Sequence, residues 1–375
     1  MFTNADIAEK QSVVVVPSYI TDIDVRCFKC ASVTRIILPD SLTRIGKSAF
    51  RKCKLKEIKV PENVVEIGEK CFSECTELTS VILSSSLKKI VWCTFYKSNI
   101  KSIEIPEGVT SIGICSFKCC SMLTSVKLPS TLIEIGNCAF TGSGITSIRI
   151  PESVTSIGCE CFDDCSTLSD IYIPQSVKEI RDRVLKATNI ASIDVSDRMV
   201  TGAVFCYCKN LTRFKLPLNM TEYYKNMFTC VSKLERIEIP DGITKLGEYC
   251  FLGCTSLTYI KFSPNITELP RACFCNCRFK HITIPEGITR LRAECFSSCS
   301  NLVSITLPST LVHIGRRCFE STMLYLIVIP KNVNHLGVKF CKKCKNLSLI
   351  KLSQELFNEL LNNPSHLKGT KLEIY

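Results

Sequence analysis

Apolar and polar positions recur along this chain with a spacing of 21 to 23 residues. A clean unit is Ile145-Thr-Ser-Ile148-Arg-Ile150-Pro151-Glu-Ser-Val154-Thr-Ser-Ile157-Gly158, closed by Cys161-Phe162-Asp-Asp-Cys165. Its apolar residues stand six, three and one before the proline and three, six and eleven after it. Alternation in Ile148-Arg-Ile150 predicts a short strand that turns two side chains inward. Proline ends that strand, because it has no N–H for a ladder. Val-x-x-Ile-Gly predicts a second short extended piece, and the Cys-Phe pair closes the coil. The proline slot is filled at Pro17, Pro39, Pro61, Pro106, Pro129, Pro151, Pro174, Pro217, Pro240, Pro285, Pro308 and Pro330, twelve of the fifteen prolines. Serine takes it at Ser84, Ser196, Ser263 and Ser353. One such coil cannot bury its own apolar face, but stacked coils bury it on each other.

The pattern therefore predicts a repeat solenoid of predominantly short parallel β-strands with loops. It forms a single domain of about sixteen turns over residues 12–353, with an N-terminal cap over 1–11 and a C-terminal helical cap over 354–375. Ser353 is placed to cap the last helix, Leu356, Phe357, Leu360 and Leu361 give it one apolar face, and Pro364 stops it. Glycine follows the second strand in eight turns (Gly46, Gly68, Gly113, Gly136, Gly158, Gly247, Gly315 and Gly337), which predicts a φ that other residues dislike. The turns between Pro174 and Pro240 are degenerate: Leu185 stands in the Phe slot, Arg181 and Tyr224 replace glycine, and Phe205 comes two residues early. That stretch predicts a kink or bulge.

These residues resemble the BspA-like, or Treponema pallidum type, leucine-rich repeat, whose pattern is close to L-x-x-I-x-L-P-x-x-L-x-x-I-G-x-x-A/C-F-x-x-C. The resemblance covers about residues 12–353. It implies a leucine-rich-repeat solenoid and, through the family's members, surface adhesion or protein binding. It is nearly silent on activity.

Composition sharpens this picture in three ways. With 46% hydrophobic and 22% charged residues the chain is globular in character. No run of eighteen apolar residues exists, so no membrane-spanning helix is predicted. The opening MFTNADIAEKQS has acids before any apolar run and does not read as a secretory signal, which sets the expectation of a cytoplasmic, thiol-reduced protein. The alternative is an adhesin exported without a classical signal.

Cysteine, at 26 residues, is the compositional outlier. Cys27, Cys71, Cys161, Cys250, Cys273, Cys295 and Cys318 lie one residue before the Phe slot, and Cys53, Cys75, Cys120, Cys165, Cys254, Cys277, Cys299 and Cys344 lie three after it. A repeated core slot uses cysteine as a small hydrophobe. Ligand-like spacings such as Cys27-x-x-Cys30 and Cys341-x-x-Cys344 lose their specificity in a chain where cysteine recurs by design. No metal is expected.

The chain has no phosphate loop, no HExxH and no GxSxG. His313 and His335 share a slot in adjacent turns and should stack, within a charged column that also holds Arg44, Glu66, Lys89, Lys245, Glu268 and Arg290. A binding protein, not an enzyme, is the reading.

Two places are candidates for the partner. The exposed positions of the first strand, two and four before the proline slot, give Arg213, Lys215, Arg236, Glu238, Tyr259, Lys261 and His281. This basic, partly aromatic face suits an acidic protein segment; its low density of aromatics argues against nucleic acid. The second is linear. Lys89-Ile90-Val91-Trp92 is similar to the R/K-V/I-x-F/W docking motif of protein phosphatase 1 regulators and uses the single tryptophan. That makes the protein phosphatase 1 catalytic subunit the candidate partner, bound by β-augmentation. Ile90, however, also fills a repeat core slot. Oligomeric state is not encoded in any of these features.

Overall fold

A computed structural model describes residues 1–3, 12–362 and 370–374. Contacts divide the chain into two units, residues 1–190 with 197–201, and residues 191–196 with 202–375. Each unit is a parallel-strand β-solenoid.

In the first unit the first strands run from Val13–Val15 to Asp170–Tyr172, eight in all among the described residues. The second unit also has eight, from Ser192–Asp194 to Leu349–Leu352. Every pairing is parallel, with partners 20 to 23 residues apart, for example Val13 with Arg35 and Ile148 with Ile171. A two-residue second strand follows each first strand except the last, Leu349–Leu352, so each coil before it has two short extended edges.

Burial follows the sequence pattern closely. In the unit around Pro151, Ile145, Ile150, Val154 and Phe162 are wholly buried and Ile148 and Ile157 nearly so. The Phe column forms a stack of parallel rings. In the first unit Phe28, Phe50, Phe72, Phe95, Phe117, Phe140 and Phe162 follow one another with centroids 5.1 to 5.6 Å apart. Phe2 extends that stack, 5.7 Å from Phe28, and Phe2 pairs with Ile23 as an added rung. The N-terminal segment thus contributes an aromatic that the repeat pattern does not mark. In the second unit Phe205, Phe228, Phe251, Phe274, Phe296 and Phe319 continue the motif. Leu185 is buried in the Phe slot.

The glycine column corrects the sequence expectation. None of the eight glycines has a positive φ. Close approach is the reason instead: a Cβ at Gly68 would lie 2.4 Å from the Lys47 nitrogen, and one at Gly158 2.4 Å from that of Asn137. The left-handed positions lie two before and two after Phe, and charged residues, cysteines and others fill them, as at Lys70 and Glu74 (φ 56° and 61°) around Phe72. Where the glycine slot holds Val91, Arg181 or Pro270, the second-strand sheet is interrupted just before that turn. Arg292 is tolerated without a break.

Serine in the proline slot has its own logic. Ser84 and Ser263 are fully buried, and their hydroxyls donate to the carbonyls of Glu62 (2.8 Å) and Ile243 (2.6 Å) in the turn before.

At the C-terminus the helix spans Gln354–Asn362. Its Leu356 N–H donates to Ser353 Oγ at 3.5 Å, and Leu356 is buried. Phe357 and Leu360 are half-buried. Pro364, the predicted stop, lies outside the described residues, as does most of the predicted N-terminal cap over 1–11. The segment read as a helical cap also supplies a strand, Lys371–Ile374, which pairs parallel with Leu349–Leu352.

Candidate functional site

All 26 cysteines are free, eighteen of them buried, seven half-buried and Cys30 exposed. The column three after Phe does more than fill space. Its thiols donate to the carbonyl of the Phe one turn earlier: Cys75 to Phe50 (2.9 Å), Cys120 to Phe95, Cys165 to Phe140 and Cys344 to Phe319 (3.0 Å each). Reading cysteine only as a small hydrophobe misses this bond. It gives a second donor to a carbonyl that already accepts a bond from its own turn, as Phe50 does from the Cys53 N–H (3.0 Å) and Phe95 from the Ser98 N–H (3.0 Å). Burial pushes the thiols of Cys120, Cys165 and Cys299 up to about 12, so they stay protonated and unreactive.

The first-strand face of the second unit carries the residues singled out from the sequence. Arg213, Lys215, Arg236, Tyr259, Lys261 and His281 are all exposed. Several are already engaged. Lys215 pairs with Asp194 at 2.9 Å and Lys261 with Glu238 at 3.9 Å. The Arg236 guanidinium lies 4.3 Å over the Tyr259 ring. His281 Nδ1 is 2.7 Å from Ser304 Oγ. Arg213 makes no ion pair among the described residues. The face is a mixed lattice of charges, less basic in effect than the two columns suggest on paper.

The linear motif is divided by the fold. Lys89 and Trp92 are exposed, Trp92 to 40% with Lys70 Nζ 4.1 Å over its ring, whereas Ile90 is 2% exposed. The strand Lys89–Ile90 turns Ile90 into the core and pairs with Ser111–Ile112. The apolar anchor that docking needs is therefore not presented by the folded turn.

A deeper feature lies on the other edge of the second unit. An open groove of about 1350 Å³ runs along the second strands and the glycine slot from Glu222 to Val338. Its walls hold Lys225, Lys245, Arg271, Arg292 and Arg316 against Glu222, Glu248 and Glu268. The acids are matched by ion pairs, Lys225–Glu248 at 3.0 Å, Lys245–Glu222 at 3.6 Å and Arg292–Glu268 at 2.8 Å. Arg316 is exposed and makes no ion pair among the described residues. At one end His313 and His335 stack with centroids 4.4 Å apart and planes 13° off parallel. His313 Nδ1 is out of solvent and unpartnered. Burial, and then the charge of His335, hold the His313 pKa below its ordinary value, with Arg292 and Arg290 adding to this against the pull of the Leu291 carbonyl. Of the turns lining the groove, three depart from glycine, at Tyr224, Pro270 and Arg292, and three keep it, at Gly247, Gly315 and Gly337. No group of three or more His, Cys, Asp or Glu side chains is arranged to hold a metal ion among the described residues, and no described helix is long and apolar enough to cross a membrane.

A family model described as BspA type leucine rich repeat region (6 copies) matches residues 8–101, 88–202, 199–299 and 267–363. Among solved structures, the chain is similar to a leucine rich cell surface protein from Faecalibacterium prausnitzii, at 25% identity over 93% of this chain and 90% of that one, with a TM-score of 0.54. It is similar in fold to leucine-rich repeat proteins from Bacteroides ovatus (24% identity, 100% of this chain, 79% of that one, TM-score 0.51) and Eubacterium ventriosum (20%, 87%, 88%, 0.53). No curated protein matches the chain.

Proposed function

This chain belongs to the BspA-type leucine-rich-repeat family, and from that premise we propose that it is a non-enzymatic, protein-binding scaffold of the cytoplasm whose second unit seats an extended acidic segment. The groove from Glu222 to Val338 carries this reading: its acids are spent on internal ion pairs, while Arg316 and the histidine pair have no carboxylate partner among the described residues. An extended chain lying across successive turns would meet the same geometry at each, which is how solenoids read long ligands. The cations of the first-strand face, Arg213 and Arg236 foremost, offer a second stretch of the same sign. Fluorescence anisotropy with a labelled glutamate-rich peptide tests this. Binding that weakens with salt and with Arg316→Glu supports the reading; equal affinity for a lysine-rich peptide of the same length removes it.

A second reading follows from the exposed Lys89 and Trp92: docking of the protein phosphatase 1 catalytic subunit. It requires Ile90 to leave the core, so binding would be coupled to opening of that turn and correspondingly weak. The cytoplasmic location has a competitor, because the similar Faecalibacterium protein is a cell surface protein. Surface biotinylation of intact cells separates the two: labelling of this chain at the level of known surface proteins would replace the scaffold with an adhesin.

A further inference from the structure

Three cysteines outside the two core columns stand in line. Strand register sets Ile90 opposite Ile112 and Ile112 opposite Ile135. The residues three further on, Cys93, Cys115 and Cys138, therefore face one another across consecutive turns. All three have left-handed backbones, with φ of 54°, 55° and 54°, so their Cβ atoms leave the coil in the same sense. Backbone bonds hold the register at these residues: the N–H groups of Cys93, Cys115 and Cys138 donate to the carbonyls of Ile114 (3.0 Å), Asn137 (3.0 Å) and Cys159 (2.9 Å). Adjacent turns lie about 4.8 Å apart, inside the roughly 4.4–6.8 Å between Cα atoms that a disulfide bridges. Residues two turns apart, at about 10 Å, lie outside it. The Cys115 thiol interacts with those of both Cys93 and Cys138.

The setting separates this row from the rest. Cys71, Cys161, Cys250 and Cys295 are wholly buried, beyond the reach of a dissolved oxidant. Cys115 and Cys138 are half-buried, and Cys93 keeps 8% exposure. The Lys118 ammonium stands against the row, favouring the thiolate at each position, with Lys70 also near Cys93. Glu69 and Glu160 act in the opposite sense, and Cys138 Sγ donates to Glu160 Oε2 at 3.6 Å.

We propose that Cys93, Cys115 and Cys138 form a peroxide-oxidisable thiol site in which Cys115 is the shared partner of two mutually exclusive disulfides, Cys93–Cys115 and Cys115–Cys138. One thiolate of a facing pair attacks an oxygen of hydrogen peroxide. The O–O bond breaks, a sulfenic acid forms, and the departing hydroxide takes a proton to become water. The thiolate on the facing turn then attacks the sulfenic sulfur. The S–S bond forms, and hydroxide leaves with the proton given up by that second thiol. Two thiols and one peroxide yield one disulfide and two waters, the sulfurs oxidised and the peroxide oxygens reduced. Burial raises all three thiols above their ordinary pKa, so the step is slow at neutral pH, with Lys118, and Lys70 at Cys93, favouring the thiolate in part.

Trypsin sites make the test direct, because the peptides 90–97, 102–118 and 128–149 each carry one cysteine. The full chain is treated with hydrogen peroxide, blocked with N-ethylmaleimide, digested without reductant and read by mass spectrometry. The expected products are 90–97 linked to 102–118 and 102–118 linked to 128–149, both lost on adding dithiothreitol. Cys115→Ser is expected to remove both. Cys93→Ser should leave only the second link and Cys138→Ser only the first, and these two variants carry the test if Cys115→Ser fails to fold. The proposal is overturned if all three peptides stay alkylated, if Cys115 ends as a sulfinic acid without a linked partner, or if 90–97 joins 128–149 as readily as it joins 102–118.

Discussion

The His313 imidazole lies flat on that of His335, 4.4 Å away, and the two belong to strands paired in register across one turn. Each rung of a parallel ladder places like residues face to face, so a charge on one is felt by the other. Burial, and then the positive charge of His335, Arg292 and Arg290, hold the folded-state pKa of His313 below the ordinary 6.5 against the pull of the Leu291 carbonyl. Above that value His313 is neutral whether the chain is folded or not. As pH falls through it, the unfolded chain takes up the proton first, and stability is lost until the lower folded pKa is reached. The melting temperature is expected to fall more between about pH 7 and pH 5 in the native protein than in His313→Asn. Identical slopes in the two would show that His313 keeps its ordinary pKa in the folded chain.

Thiol counting tests the burial of the cysteine columns. In native buffer no more than the seven half-buried thiols and Cys30 are expected to react promptly with a disulfide reagent. In denaturant without reductant all 26 should react. A native count near the full number would mean the core columns breathe freely. A denatured count well short of it, in protein never exposed to oxidant, would reveal disulfides.

The phenylalanine stack sets a second magnitude. Phe162 is fully buried, 5.6 Å from Phe140. Phe162→Ala is expected to cost about 3–5 kcal/mol by removing a ring from a packed column. Phe162→Leu should cost less than about 1.5 kcal/mol, because Leu185 already fills the same slot one turn later. Chemical denaturation measures both. Equal losses for the two substitutions would show that ring stacking, not filled volume, holds the column.

Glycine gives the sharpest contrast between what the sequence displays and why. The slot was legible, because glycine recurs at one phase of the repeat. Its cause was not, since a sequence does not distinguish an unusual φ from a neighbour too close for a side chain. Gly68→Ala is expected to cost about 1–3 kcal/mol through overpacking against Lys47. Replacing Lys339, which is left-handed at φ 61°, with glycine should be neutral or stabilising. If alanine at position 68 were harmless, the close approach would be relieved by a small shift of the turn.

Much else was visible in the residues. The proline and phenylalanine slots mark strands and core directly, since each has one dominant physical cause. Phe2 escaped notice because it lies outside the repeat phase, yet it extends the ring stack. The hydrogen bonds of Cys75, Cys120 and Cys165 were hidden because burial alone already accounts for cysteine there. The first-strand cations look unpaired along their own columns, although Lys215 and Lys261 each find a carboxylate on the neighbouring turn. A column read in isolation overstates its charge.

That pairing shapes the test of partner binding. Arg213→Glu, Arg236→Glu and Lys261→Glu together reverse the first-strand face of the second unit. Each residue is an exposed strand position, so folding should lose less than about 0.5 kcal/mol at each, and circular dichroism should be unchanged. Lys261→Glu sets one new carboxylate face to face with Glu238, and Arg236→Glu removes the cation from Tyr259, so these two account for most of that small loss. If an acidic segment uses this face, capture falls by well over tenfold; if it uses the groove, Arg316→Glu is the damaging change and the triple variant binds nearly as before. Phosphatase capture answers to neither. There Trp92→Ala is decisive: Trp92 is half in solvent and contacts Lys70, so its removal leaves the core intact, unlike Ile90→Ala, which opens a buried slot and would confuse lost binding with a damaged turn. A folded Trp92→Ala protein that still captures the phosphatase at full strength removes the linear motif, and the binding surface then belongs to the second unit alone.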